Sequence, residues 1–316
     1  MKREPLPQSI ADLPAQLAAA PNSAAEARAR YFNTGNAFNM QLAPVPGESF
    51  TAEPAKALHP DTPTSLIVCD RSRELGCVFP ATTPLVLARY ARIRAGEALS
   101  TNFAASGVIV YVIAGKGSSL CGDEQVQWTP GDTLVLPGGM VQLHRAGAAD
   151  AVLWIVTNEP QLAFEHLQPP RPGAAPTGMV HFPADEVLRQ VALLYEVGRS
   201  DNIAGSALIF SSEQQEATRN VLPTLTVAMN TLPAGKVQRP HRHNSVAVSL
   251  VIQGEKCHSM VDGRRKDWSP WATTVTPATS VHSHHNGGEQ TAMFLIVQDG
   301  GIYYHARALG FEFVDA

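Results

Sequence analysis

The chain contains the same pattern of turns twice. The segment 93–117 (IRAGEALSTNFAASGVIVYVIAGKG) lies without a gap on the segment 232–256 (LPAGKVQRPHRHNSVAVSLVIQGEK), at an offset of 139 residues. The segment 128–144 (WTPGDTLVLPGGMVQLH) lies on 268–284 (WSPWATTVTPATSVHSH) at an offset of 140. Gly96 meets Gly235, Gly115 meets Gly254, Trp128 meets Trp268 and Pro137 meets Pro277. One inserted residue, in a turn, separates the two blocks. A chain that repeats its turn residues over such a span builds one unit twice. In each copy short apolar runs such as GVIVYVIAG and TLVLPGG alternate with Gly, Pro and Asp, the pattern of strands in a sandwich or barrel. The expected fold is therefore all-β and mainly antiparallel.

With 316 residues, the chain has room for two average domains. Residues 1–83 read as an N-terminal arm and a wrapping segment. In the arm, SIADLPAQL and NSAAEARARYF suggest helices, with Asn22 or Ser23 as a cap. Residues 84–166 form the first strand-rich domain. Residues 167–202 hold a Pro/Gly/Ala linker and one amphipathic helix, PADEVLRQVALLYEVG, at 183–198. Residues 203–316 form the second strand-rich domain. The net charge is only −4 and no basic stripe is present, which argues against a nucleic-acid partner. No apolar run reaches the ~18 residues of a membrane span. No apolar leader segment is evident, so the expected location is the cytoplasm. Cys69, Cys77, Cys121 and Cys257 form no C-x-x-C pair and read as free thiols.

Seven of the eleven histidines fall between 241 and 305. His241 and His243 alternate on one strand and so share a face. Opposite His241, His243 and His282 the first copy has Asn102, Ala104 and Gln142, although it keeps the turn-building residues. These histidines are separable from the scaffold. Three neutral imidazoles suit a divalent first-row metal and leave positions open for other ligands. His284 shares the face of His282 and is the other candidate for third ligand. His144, alone in the first copy, reads as structural. His258, on the next strand, either lines the cavity or is simply buried. Tyr303, Tyr304 and His305 either close the barrel mouth or pack ordinarily.

The two blocks resemble the two cupin motifs, G-x5-H-x-H-x3-4-E-x6-G and G-x5-P-x-G-x2-H-x3-N. The first reads here Gly235, His241, His243, Ala247, Gly254; the second keeps Pro277, His282 and Asn286, with Trp271 and Thr279 at its two glycine positions. The whole chain resembles a bicupin. That implies two double-stranded β-helix (jelly-roll) barrels, a degenerate metal-free one followed by a metal-bearing one, with an N-terminal helical arm and a linker helix. Ala247 at the glutamate position, together with VQDGG at 297–301, is similar to the gentisate 1,2-dioxygenase and salicylate dioxygenase-like family.

The resemblance implies Fe(II) held by His241, His243 and His282, with Mn(II), Ni(II) or Zn(II) as alternatives. It also implies O2 as co-substrate, a small anionic aromatic substrate (a hydroxy- or amino-substituted benzoate) opened by extradiol-type cleavage, and a homo-oligomer, dimer or tetramer. Asn286, His284 and His258 are candidates for catalysis or for supporting the ligands. Arg239, Arg242, Tyr304 and His305 are candidates for substrate binding, although Arg242, between two ligands on a strand, points away from the metal. Two departures stand out. The family usually carries its iron in the first barrel, and it often has an arginine where this chain has Ser249. Two other functions remain open: a metal-dependent isomerase, lyase or hydrolase that turns over without O2, and a non-catalytic small-molecule-binding bicupin.

Overall fold

The structure, a computed structural model, describes residues 7–197 and 206–314. The contacts divide the chain into two units, Met1–Pro44 and Val45–Ala316.

The first unit is less helical than its sequence suggests. It holds a 3-10 turn at Ile10–Asp12, one helical turn at Ala24–Ala27, and a two-stranded pairing of Gln16–Leu17 with Arg30–Tyr31. Ser23 caps the helical turn, its Oγ accepting from the Glu26 amide at 3.2 Å. The Asn22 amide donates to the Glu26 carboxylate. The cap is therefore well formed, but the helix stops after four residues. Neither turn buries a side chain, and helices shorter than ~12 residues do not hold in water without an apolar face packed against something.

The second unit contains two closely similar barrels. In the first, a six-stranded sheet has the order Val180–Phe182, Thr133–Pro137, Gly107–Ala114, Ala151–Thr157, Leu87–Ile93, Ser65–Val68. It faces a four-stranded sheet of Ala98–Thr101, Gln142–Ala146, Gly117–Cys121 and Glu124–Trp128. In the second, the six-stranded sheet runs Ser206–Phe210, Thr226–Leu232, Ala292–Gln298, Ala247–Gln253, Thr273–Thr276, Ser49–Phe50. The facing sheet has five strands: Arg264–Asp267, Cys257–Val261, His282–Asn286, His241–His243, Phe311–Phe313. Every pairing among the described strands is antiparallel, and the repeated strands keep the same neighbours in both barrels. Ser49–Phe50, from the segment read only as wrapping, closes one edge of the second barrel.

The apolar runs are continuous because the six-stranded sheets are buried on both faces. Gly107–Ala114 is buried along nearly its whole length. Its inward residues Val108, Val110 and Val112 join Leu134, Leu136 and Leu153 in the filled interior of the first barrel. On the opposite faces, Tyr90, Tyr111 and Trp154 meet Val248, Leu250, Val275 and Leu295 of the second barrel in one shared core. Two polar groups cross that core. The Tyr90 hydroxyl donates to the Trp271 carbonyl at 2.6 Å and the Trp154 indole donates to Thr273 Oγ1 at 2.9 Å.

The amphipathic helix read at 183–198 forms as Ala184–Glu196 and buries Val187 and Val191. Gly198 and the 202/203 boundary lie outside the described residues.

One local cost is visible at the second motif. In the first barrel Gly131 and Gly139 take the left-handed conformation, with φ of 93° and 72°. Their counterparts Trp271 and Thr279 keep it, with φ of 62° and 65°, although neither is glycine. A β-branched residue is strained there. Thr279 is exposed, so removing its side chain sacrifices no packing. Thr279→Gly is expected to stabilise the protein by about 1 kcal/mol. Its thermal midpoint should rise by ~2–4 °C; an unchanged or lower midpoint would show that the turn carries no strain.

Candidate metal centre

His241–His243 is a three-residue strand whose outer members face inward, both buried, while Arg242 between them is exposed. It pairs with His282–Asn286 so that His241 lies directly opposite His282. That register brings together residues about forty positions apart in the chain. One nitrogen from each of His241, His243 and His282 lies within 4.8 Å of the other two.

The orientation of each ring is set by main chain nearby. His241 Nδ1 lies 2.9 Å from the Arg239 carbonyl, His243 Nδ1 lies 2.8 Å from the Ser245 carbonyl, and His282 Nδ1 lies 2.9 Å from the Ser280 carbonyl. A carbonyl only accepts, so each Nδ1 carries the proton and each Nε2 keeps its lone pair. Burial lowers the pKa of His241 and His243, and burial together with His241 pushes His282 down to about 3. All three rings are neutral at pH 7, as metal ligands must be.

The histidines line a cavity of about 450 Å³ inside the second barrel, within the range of small-molecule sites. Ala247, Ser249 and Thr276 form part of its wall, and Ile209, Ile296 and Phe311 give it an apolar side. Among the described residues the lining contains no Arg, Lys, Asp or Glu. The Gln238 carboxamide oxygen, in the wall, is buried with no hydrogen-bond partner in the protein. The donor set therefore fits a divalent metal: three lone pairs converge, no competing charge intervenes, and a polar acceptor waits beside them.

The other candidates separate into those at the cavity and those elsewhere. Tyr304 lines it at the rim. His284 lines it as well, but its Nδ1 is held 2.8 Å from Ser259 Oγ. Asn286 is on the inward face but spends its amide on the Leu232 and Gln290 carbonyls, at 2.8 Å each, and its oxygen accepts from Gly288 and Cys257. It holds the strand end and the following turn. His258 lies on the outer face, stacked on His285 at 4.5 Å between ring centres. Arg239 is exposed and its guanidinium sits over Phe313 at 4.2 Å. Arg242 pairs with Glu312 on the outside. His305 lines a different surface cleft. Neither arginine lines the cavity: Arg242, between two ligands on the strand, points the other way, while Arg239, which has the parity of His241, is exposed over Phe313. Gln238 and Gln298, both in the wall, were not picked out from the sequence. Gln298 falls within the VQDGG segment, whereas Gln238, three residues before His241 and of opposite parity, has no signal in the local pattern.

Comparison with known proteins agrees with the architecture. Salicylate 1,2-dioxygenase from Pseudaminobacter salicylatoxidans superposes with a TM-score of 0.73 at 13% identity, over 90% of this chain and 92% of that one. The chain has the bicupin fold. The model of the AraC-like ligand binding domain matches residues 88–209, in and beyond the first barrel. In sequence, this bicupin is 32% identical over 79 residues to 5-aminosalicylate 1,2-dioxygenase of a Comamonas species. It is 29% identical over 82 residues to gentisate 1,2-dioxygenase of a Ralstonia species. Those stretches span 25% and 26% of this chain, and only 21% and 23% of the relatives. No helix among the described residues is long and apolar enough to cross a membrane.

Both barrels of the bicupin contain one further buried unit. In the second, the Trp268 indole donates to Ser259 Oγ at 2.8 Å, and Ser259 Oγ meets His284 Nδ1. In the first, Trp128 donates to Ser119 Oγ at 2.9 Å, and Ser119 Oγ lies 2.8 Å from His144 Nδ1. The sequence carries this signal, since His144 lies opposite His284 in the repeat. His284 thus shares its bonding with a histidine in the barrel that has no metal trio, which assigns it a scaffold role.

Burial pushes His144 down to about 4 and His284 well below its usual range. Unfolding releases both rings to titrate near 6.5. Below that pH the unfolded chain binds protons that the folded one refuses, so stability is full above 6.5 and falls as the pH drops. Between pH 6.5 and 5, His144 alone should cost about 2 kcal/mol. Urea unfolding of chelator-treated protein at pH 7 and pH 5 measures this; equal stabilities would contradict the neutral burial.

Proposed function

We propose that this bicupin is an Fe(II)-dependent dioxygenase that opens the ring of a small hydroxy- or amino-substituted benzoate. The observation that carries the reading is the convergence of three neutral imidazole lone pairs on a cavity with no charged side chain. Fe(II) held by His241, His243 and His282 would supply the redox chemistry that lets O2 react with an electron-rich ring.

The chain's own residues do the rest. His241, His243 and His282 hold the ion through Nε2, and the carbonyls of Arg239, Ser245 and Ser280 keep those lone pairs aimed. With no carboxylate or arginine in the lining, the ion's charge is the only strong attraction for an anion. A substrate must then bring its carboxylate and its ortho oxygen or nitrogen to the metal itself. Ile209, Ile296 and Phe311 offer the apolar wall for its ring, and the unpaired Gln238 oxygen accepts from a hydroxyl or amino group. Tyr304 stands at the rim, where it limits entry of water.

The isomerase, lyase and hydrolase reading requires a base beside the metal. His258 and His305 lie outside the cavity and His284 is engaged with Ser259, which leaves only Tyr304. This favours the dioxygenase. Association of the chain into a dimer or tetramer through its arm is part of the same proposal, supported by the exposed Phe38, Met40 and Leu42.

Protein purified without a chelating tag should contain about one iron per chain after anaerobic loading, and should consume O2 with loss of ring absorbance on some salicylate-like acid. Alanine at His241, His243 or His282 should remove both metal and turnover. Arg242→Ala and His305→Ala, outside the cavity, should leave turnover within about twofold. Stoichiometric metal without O2 uptake would move the function to non-oxidative metal chemistry, and no metal at all would leave a binding protein.

A further inference from the structure

We propose that Gln298 is a fourth protein ligand of the metal centre, through its carboxamide oxygen. The proposal rests on the reading of His241, His243 and His282 as metal ligands.

Gln298 ends the strand Ala292–Gln298 and lies directly opposite Ala247 on the neighbouring antiparallel strand. Residues so paired point to the same face with their Cβ atoms ~5 Å apart. The methyl of Ala247 leaves the space between them open, and the glutamine side chain is long enough to cross it. Its amide nitrogen stands 3.2 Å from His243 Nε2, the atom proposed to bind metal. Two donors bound to one ion at ~2.1 Å each are ~3.0 Å apart at a right angle and ~3.4 Å apart at a tetrahedral angle. The end of Gln298 is thus within a small side-chain shift of an adjacent-ligand position, its N–H now standing at the lone pair that the ion would take.

The other barrel is a control. There the counterpart of Ala247 is Val108, and it pairs with Thr157. Valine fills the space, and the threonine hydroxyl turns away to Glu159 at 2.7 Å. The long amide opposite a small residue occurs only in the barrel that carries the three histidines.

The carboxamide also matches both states of the site. His243 Nδ1 has its proton on the Ser245 carbonyl, so Nε2 is an acceptor, and the Gln298 N–H donates to it. When a metal takes that lone pair, the N–H has no acceptor there. A half-turn about the last torsion, which has a broad and nearly two-fold profile, presents the oxygen instead. Among the described residues, no other hydrogen bond of the Gln298 amide opposes that turn. A neutral oxygen ligand leaves the full +2 charge to attract an anionic chelator, and, being weakly held, it gives up its position when the chelator and O2 need three.

The test is Co(II) binding, read by competition with a chelator and by the visible d–d bands, which respond to coordination number. Wild-type protein should take up about one Co(II) per chain. Gln298→Ala should weaken binding by about tenfold or more and change the bands. Gln298→Glu should tighten binding and shift the bands in its own way. Circular dichroism verifies the fold, and if Gln298→Ala does not fold, Gln298→Glu decides by the same two readouts. Affinity within about twofold of wild type with unchanged bands would overturn the role of Gln298 while leaving the three-histidine centre intact. Wild-type protein that binds no Co(II) would overturn both.

Discussion

A closed β-barrel encloses a fixed volume, and every inward side chain decides how much of it stays open. The two barrels of this chain have the same strand order, so their difference is a difference of volume at matching positions. Val108, Val110 and Leu136 in the first barrel correspond to Ala247, Ser249 and Thr276 in the second. The first three belong to a packed apolar core; the second three line a cavity. Hollowing a core in this way removes several kcal/mol of packing. The second barrel compensates through the apolar layer shared with the first, where Val248, Leu250, Val275 and Leu295 are almost fully buried. The filled barrel therefore serves as the support on which the hollow one is built.

Within the cavity, the electrostatics follow from which groups hold the histidines. Each Nδ1 is bonded to a carbonyl two residues away in sequence, so the tautomers are set locally and add no charge. A carboxylate in that place would raise ligand basicity and partly neutralise a bound ion. Its absence, with the absence of charged lining among the described residues, leaves a bound cation uncompensated until a substrate anion arrives. Under the proposed function, substrate selection would depend on chelation and on the apolar wall more than on an arginine clamp.

Much of this was legible in the residues. Period-two alternation put His241 and His243 on one face, and the repeat showed that the scaffold does not require them. The same repeat paired His144 with His284, a clue to the Trp–Ser–His unit that only the Ser119 and Ser259 contacts made plain. The misplaced readings have common physical causes. Parity tells which face a residue takes but not how far along the strand it sits. Asn286 therefore has the inward face and bonds only to nearby main chain and Cys257, while Arg239, near the ligands in sequence, is exposed over Phe313. The arm has a good cap and helix-forming residues, yet Ala24–Ala27 buries no side chain, so the helix stops after one turn.

By itself, then, the sequence determined the repeated antiparallel barrel, the inward pair His241 and His243, and the contrast between a barrel with the histidine trio and one without. Those features depend on local period, on turn residues and on self-comparison, which are written along the chain. The tertiary structure alone decided that His282 meets His241 in register, that Arg239 lies over Phe313 and not in the cavity, and that Gln238 and Gln298 enter the wall. Each of these depends on which strands become neighbours and on the volume left between two sheets. Strands distant in sequence meet through long-range pairing and the packing of whole layers, and no local pattern records that distance.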